Sequence, residues 1–205
     1  KSTGNIMIDF DLNKKDFTFD EDKANEIETF CTAIYNNSRK ANTVDRRQDT
    51  SRTSVEVNLQ GMAAEIWFKE KYSLPYTLDV NSPDTQTRSY TVDIDAQVDD
   101  LIFEIKQTAY DNGCLFVRHN NWVGKNRELK ADVFVLIVGK FPNYDRNLFI
   151  SREKFEYLNS VNGKLTHTIH KKIGKHGYHV EQEDMYPTLT EARAWQKEKL
   201  ETKAA

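Results

Sequence analysis

The chain has 205 residues, 38% of them hydrophobic and 30% charged, with a formal charge of −3. No run approaches the ~18 consecutive apolar residues of a membrane span, and the start carries no signal-like apolar segment. The molecule is not a polycation, so any contact with nucleic acid must use a local basic surface.

The length suits one domain spanning 1–205, with a core over about 57–140, an N-terminal helix and basic loop over 1–56, and accessory strands and helices over 141–205. Cys31 and Cys114 are far apart and lack metal-type spacing. They read as free thiols of a reducing, intracellular compartment, so a cytoplasmic location is expected.

Residues 1–19 alternate apolar and acidic side chains, as a short strand or an extended arm would. From Asp20 to about Asn37, Ile27, Phe30, Cys31 and Ile34 recur at helical spacing behind Asp20, Glu21 and Asp22, which suit a helix N-terminus. Residues 38–54 hold Arg39, Lys40, Arg46, Arg47 and Arg52 and one sizeable apolar side chain, Val44. Such a stretch cannot bury enough surface to order itself, so a mobile loop is expected. Arginine among Ser and Thr suits phosphate contacts, and a solvated linker is the plainer alternative.

A second helix is expected from Val57 to about Lys71, with Leu59, Met62, Ala63, Ile66 and Trp67 as its apolar stripe. Gly61 and Glu65 lie one turn apart on a neighbouring face, where the glycine leaves room beside the carboxylate. Glu65 could also pair with Lys69 at i,i+4. Leu74 to Val80 reads as a strand, and Asn81-Ser82-Pro83-Asp84 as a turn.

Residues 92–106 alternate apolar and polar side chains on both sides of Asp99-Asp100, the pattern of a β-hairpin. Folding there pairs residues whose numbers sum to 199, with Asp95 opposite Glu104 and Asp93 opposite Lys106. Partners across strands share a face, so Asp93, Asp95, Glu104 and Lys106 lie together, away from Phe103 and Ile105. A solvated face with weak ion pairs is one reading. Three carboxylates around one lysine repel one another, however, and a divalent cation relieves that repulsion. Carboxylate oxygens are the ligands Mg²⁺ takes.

Asp95, eight residues, then Glu104-Ile105-Lys106 resembles the signature of the PD-(D/E)XK nuclease superfamily. The position before Asp95 is Ile94 where the signature has proline, and Asp93 is a rival for the first carboxylate. The resemblance implies a restriction-endonuclease-like core, and Asp95 and Glu104 as ligands of one or two Mg²⁺ or Mn²⁺ ions. It also implies that the Ile105 carbonyl faces the metal and that Lys106 positions the attacking water. Gly61-Met62-Ala63-Ala64-Glu65 resembles the helix that precedes the sheet in many members, whose glutamate binds or orients metal and water. Lys130 to Leu136 is similar to the segment after the catalytic hairpin in phage and bacterial members, so the resemblance covers about residues 57–140.

Gln107 alternates to the other face, and Asn112-Gly113 is a turn signal. Leu115 to Val117 reads as a strand. Residues 118–130 are basic, and Arg118, Lys125 and Arg127 suit phosphates, with Trp122 to pack or stack. Val133 to Val138 is a strand buried on both faces. Asn147 to Ile150 reads as a short strand, with Ser151 capping a helix to about Asn159. His167, His170, His176 and His179 have a zinc-like spacing without the usual cysteine; with Lys171, Lys172 and Lys175 they better suit a phosphate-facing loop. Thr188 to Glu191 is a capping box opening a last helix to about Leu200.

The expectation is therefore an α/β domain, a central mixed sheet flanked by helices, acting as a metal-dependent deoxyribonuclease. By the resemblance it is an endonuclease leaving 5'-phosphate ends, with Glu65, Asp95, Glu104 and Lys106 catalytic. DNA is the expected partner, no membrane is involved, and a restriction-type member would cut a duplex as a homodimer. The alternatives are a non-catalytic nucleic-acid-binding protein with this fold, or a ribonuclease.

Overall fold

The computed structural model describes residues 17–40, 53–81, 95–118, 131–160, 166–170 and 175–195. Helix α1 (Glu21–Lys40) starts where the Asp20 carboxylate accepts the Lys23 N–H at 2.7 Å, with Glu21 and Asp22 in its positive first turn. Ile27, Phe30 and Cys31 are its buried face. Helix α2 (Ser54–Lys71) opens on a reciprocal capping box, Thr53 with Glu56. Its buried side is wider than the expected stripe: Ala64 and Phe68 join Ala63, Ile66 and Trp67.

The structure departs from the expected loop over 38–54 at both of its ends. Residues 38–40 continue α1 and residue 54 begins α2, while 41–52 lie outside the described residues. The strand expected over Leu74–Val80 is not formed either. After Ser73, at φ +56°, residues 74–79 run without a strand partner among the described residues. Leu74 is buried, and Leu78 and Val80 pack against the same apolar core, so their alternation reflects docking on that core.

Strands β1 (Ala96–Val98) and β2 (Leu101–Thr108) form the expected hairpin in the expected register, Ala96 opposite Phe103 and Val98 opposite Leu101. Asp99, at φ +50°, takes the left-handed turn conformation that Asp tolerates better than most side chains. Strand β3 (Leu115–Arg118) leaves this sheet. Strand β4 (Val133–Lys140) lies parallel to β2, Glu104 opposite Phe134 and Lys106 opposite Leu136. It is buried on both faces up to Gly139, as its unbroken apolar run requires. Strand β5 (Asn143–Ser151) pairs antiparallel with β4. It begins four residues before the expected Asn147 and so makes part of the 141–205 stretch integral to the sheet. Gly139, at φ +123°, sits where the β4–β5 register shifts, and a side chain there would meet the backbone of Tyr144 and Asp145.

The result is a mixed four-stranded sheet, order β1-β2-β4-β5, flanked by helices. Phe103, Ile105, Val133, Val135 and Ile137 face α1 and α2. Phe134, Leu136 and Val138 face helix α3 (Arg152–Ser160) and a second sheet, β3-β7-β6. Strands β6 (Thr166–His170) and β7 (Lys175–Val180) form a hairpin there. The Ser151 hydroxyl accepts the Lys154 N–H and caps α3 as expected. Thr188 likewise accepts the Glu191 N–H and caps helix α4, described over 189–195. Burying a ring such as Phe103 or Phe134 contributes about 2–3 kcal/mol, so these two apolar layers hold the hairpin in place.

Candidate active site

Strand alternation sets the site. Phe103 and Ile105 are buried toward α2, so Glu104 and Lys106 stand on the opposite face of β2. Asp95, immediately before β1, lies at the hairpin position next to Glu104. Its carboxylate Oδ2 accepts the Ile105 N–H at 2.6 Å, which ties the first acid to the strand that carries the other two groups.

The Lys106 ammonium stands 2.5 Å from Glu104 Oε1 and 3.7 Å from Asp95 Oδ2, and donates to the Ile105 carbonyl at 3.0 Å. The two carboxylates are nearly enclosed, Asp95 at 5% and Glu104 at 8% exposed, while the Lys106 side chain is one-third open at 33%. The third acid arrives from α2. Glu65 is half-buried, and its charge is the largest electrostatic influence on Asp95 after burial itself.

These neighbours govern protonation. Burial, then Glu65, drives the Asp95 carboxyl well above the usual range; Lys106 and the Ile105 N–H pull the other way, and Glu104 adds to the rise. Burial works against the Lys106 charge, but Asp95 and Glu104 more than offset it, and its pKa is pushed up to about 12. Three acids around one ammonium leave a surplus of negative charge in a poorly solvated place.

The donor set fits a hard divalent cation. Among the described residues no three Asp, Glu, His or Cys side chains are drawn together as a ready-made cage. Mg²⁺ asks for less, since it keeps several waters and takes one or two carboxylates. Asp95 and Glu104 could supply those, with the Ile105 carbonyl beside them. The ammonium of Lys106 rests on these same three groups.

The structure therefore brings together Glu65, Asp95, Glu104, Ile105 and Lys106. Asp93 lies outside the described residues. Gln107 turns to the other face as expected, and its amide donates to the Gly139 carbonyl at 2.6 Å. Of the expected phosphate-contacting residues, Arg39 and Lys40 end α1 and Arg118 ends β3; Arg46, Arg47, Arg52, Lys125 and Arg127, with Trp122, lie outside the described residues. The histidines do not pair across the β6–β7 hairpin: His167 is opposite Tyr178, His176 opposite Ile169 and His179 opposite Thr166. His179 instead meets the Phe116 ring edge-on at 5.1 Å. Lys171 and Lys172 lie outside the described residues.

One set of supporting residues is invisible to sequence reasoning. Tyr144 on β5 donates to the Gln60 carbonyl at 3.0 Å, and Gln60 Oε1 accepts the Phe141 N–H at 2.8 Å. The β4–β5 turn thus grips α2 about one turn before Glu65, through partners more than 80 positions apart. No local pattern announces such a contact. A cleft of about 590 Å³ lies between α1, the start of α2 and this turn, and none of Glu65, Asp95, Glu104 or Lys106 lines it.

No helix among the described residues is long and apolar enough to cross a membrane. No family model, curated protein or solved structure matches the chain.

Proposed function

We propose that this protein is a metal-dependent nuclease of PD-(D/E)XK type with a restriction-endonuclease-like core, hydrolysing phosphodiester bonds in DNA. The observation that carries the reading is the convergence of Asp95, Glu104 and Lys106, with Glu65 acting on the same centre from α2. The expected hairpin register supports it, because an unshifted pairing is what puts Asp95 beside Glu104.

Asp95 and Glu104 would hold Mg²⁺ or Mn²⁺ with the Ile105 carbonyl, and Glu65 would hold a second ion or orient its waters. When bound, the ion supplies Lewis-acid stabilisation of charge developing on the scissile phosphate. The chain's own residues do the rest. Lys106, one-third open to solvent, keeps its proton at neutral pH and offers donors to the attacking water and the phosphate oxygens. The apolar Phe103 and Ile105 behind the acids fix their strand, so the donors need little reorganisation during reaction. Cleavage within the strand, leaving 5'-phosphate ends, is implied by the resemblance, and a cytoplasmic setting by the free thiols.

A specific observation favours one rival. The ammonium already satisfies Glu104, Asp95 and the Ile105 carbonyl, as it would in a nucleic-acid-binding protein that performs no chemistry. Supercoiled plasmid and single-stranded DNA incubated with Mg²⁺, Mn²⁺ or EDTA separate the two. Metal-dependent cutting that Lys106→Ala loses while still binding DNA is the expected result. DNA binding without cutting on any substrate would leave the binding protein; cutting that survives Lys106→Ala would place the chemistry elsewhere.

A further inference from the structure

The cleft between α1, the start of α2 and the β4–β5 turn, about 590 Å³, has the size of a ligand pocket and is lined by none of the proposed nuclease residues. Its inner wall is apolar. The Phe19 and Phe141 rings stand 6.1 Å apart, and Leu59 of α2 completes the floor. Its rim is acidic. Glu21, Asn25 and Glu28 recur at helical spacing on one side of α1, Glu56 lines the cleft from α2, and Lys140 is the one cation among the lining residues. Glu56 is tied to Thr53 in the capping box, so the exposed Glu21 and Glu28 are the acids a ligand would meet first.

A second observation points to an occupant. Gln60 lines the same cleft and is 5% exposed. Its Oε1 accepts the Phe141 N–H at 2.8 Å, which orients the amide and leaves both Nε2 hydrogens without an acceptor among the described residues. Phe141 is itself a lining residue, so the amide that reaches it ends at the cleft wall. Buried donors without acceptors are rare in folded proteins and mark places that water or a ligand oxygen fills.

These features together define one kind of ligand. The Gln60 donors ask for a carbonyl oxygen, the rings and Leu59 for an apolar side chain, and the acids for a cation beside it. A phosphate-bearing ligand would be repelled by the rim. A polypeptide offers all three groups within a few residues.

We propose that this cleft is a docking site for a partner protein, which inserts a short segment carrying one apolar side chain flanked by lysine or arginine. The apolar side chain seats on Phe19, Leu59 and Phe141, a backbone carbonyl accepts from Gln60, and the basic side chains reach Glu21 and Glu28. The proposal is independent of the nuclease reading, since the two sites share no residue.

The probe is a set of three capped, fluorescently labelled pentapeptides with phenylalanine, leucine or tryptophan at the centre and arginine on either side. Each is titrated into the full chain and followed by anisotropy. At least one binds saturably, and more weakly as salt rises. Replacing its central residue with alanine, or its arginines with glutamate, weakens binding by about tenfold or more. Glu21→Lys and Glu28→Lys each do the same, and Glu28→Lys, at an exposed helix position, leaves the melting temperature unchanged. No saturable binding by any of the three peptides would overturn the proposal. So would equal binding of the glutamate peptide, or binding that both Glu21→Lys and Glu28→Lys leave unaltered. Self-association of the wild type that Glu28→Lys abolishes would overturn it in favour of a second copy of this chain.

Discussion

Lys71 is a buried lysine and Lys106 a partly buried one, and their surroundings are opposite. Lys106 is met by Glu104 at 2.5 Å and Asp95 at 3.7 Å, with Glu65 adding to the field, and its proton is held more tightly than usual. Lys71, at the end of α2, is 7% exposed and donates to the neutral amide oxygen of Asn147 at 2.7 Å. Its ammonium stands 4.7 Å from the Trp67 ring centre and 5.6 Å from that of Tyr72, and burial pulls its pKa down. Tyr72 and Asn147 complete the cluster with mutual hydrogen bonds. The contrast teaches that burial of a lysine is no mark of chemistry. What distinguishes Lys106 is the surplus of carboxylates around it, the feature on which the proposed cation site rests.

The largest expected effect breaks the comparison on the Lys106 side. Lys106→Ala should lower the rate of DNA cleavage by about 10²–10³-fold, the scale on which a single transition-state donor acts, with DNA binding retained in a gel-shift assay. Glu65→Gln preserves shape and removes charge, and should cost about 10–100-fold in cleavage or metal affinity, as groups that orient metal ligands do. Stability should change little for Glu65→Gln, so a coincident fall in melting temperature would point to a purely structural role.

The smallest effect belongs to Lys71. Its folded-state pKa lies below the unfolded value of 10.5, so just below pH 10.5 the unfolded chain binds more protons than the folded one. Stability contributed by this group therefore rises with pH through that window and is lowered beneath it. Lys71→Met keeps the packing over Trp67 and should remove this slope in urea titrations. At neutral pH it should shift stability by no more than about 1 kcal/mol, since an apolar side chain often replaces a buried charge at little cost. Cleavage should be unaffected. A large loss of cutting in Lys71→Met at unchanged stability would dissolve the distinction between the two lysines.

The sequence made one half of this contrast visible. Strict alternation around Asp99-Asp100 determined the hairpin register, and the register determined that Asp95 would lie beside Glu104, because strand geometry is local. The β4 run and the Thr188–Glu191 cap were legible for the same reason. The Thr53–Glu56 capping box was equally local but lay in a stretch whose arginines argued for a loop, and composition obscured the cap. Leu74 to Val80 shows the converse, apolar alternation that docks on the core without a strand partner. The Lys71–Asn147 cluster, the Tyr144 grip on Gln60 and the departure of β3 to a second sheet depend on partners brought together only by the fold. Asn147 in particular reads as an ordinary polar residue in an edge strand until the end of α2 is placed against it.

The most direct test of the carboxylate surplus is calorimetric titration of Mn²⁺ into the wild type, Asp95→Asn and Lys71→Met. Saturable binding to the wild type and to Lys71→Met is the predicted result, with its loss in Asp95→Asn, which keeps an acceptor for the Ile105 N–H but lacks the charge. Equal, negligible heats in wild type and Asp95→Asn would contradict the cation site, and the three acids around Lys106 would then be a structural ion cluster and nothing more.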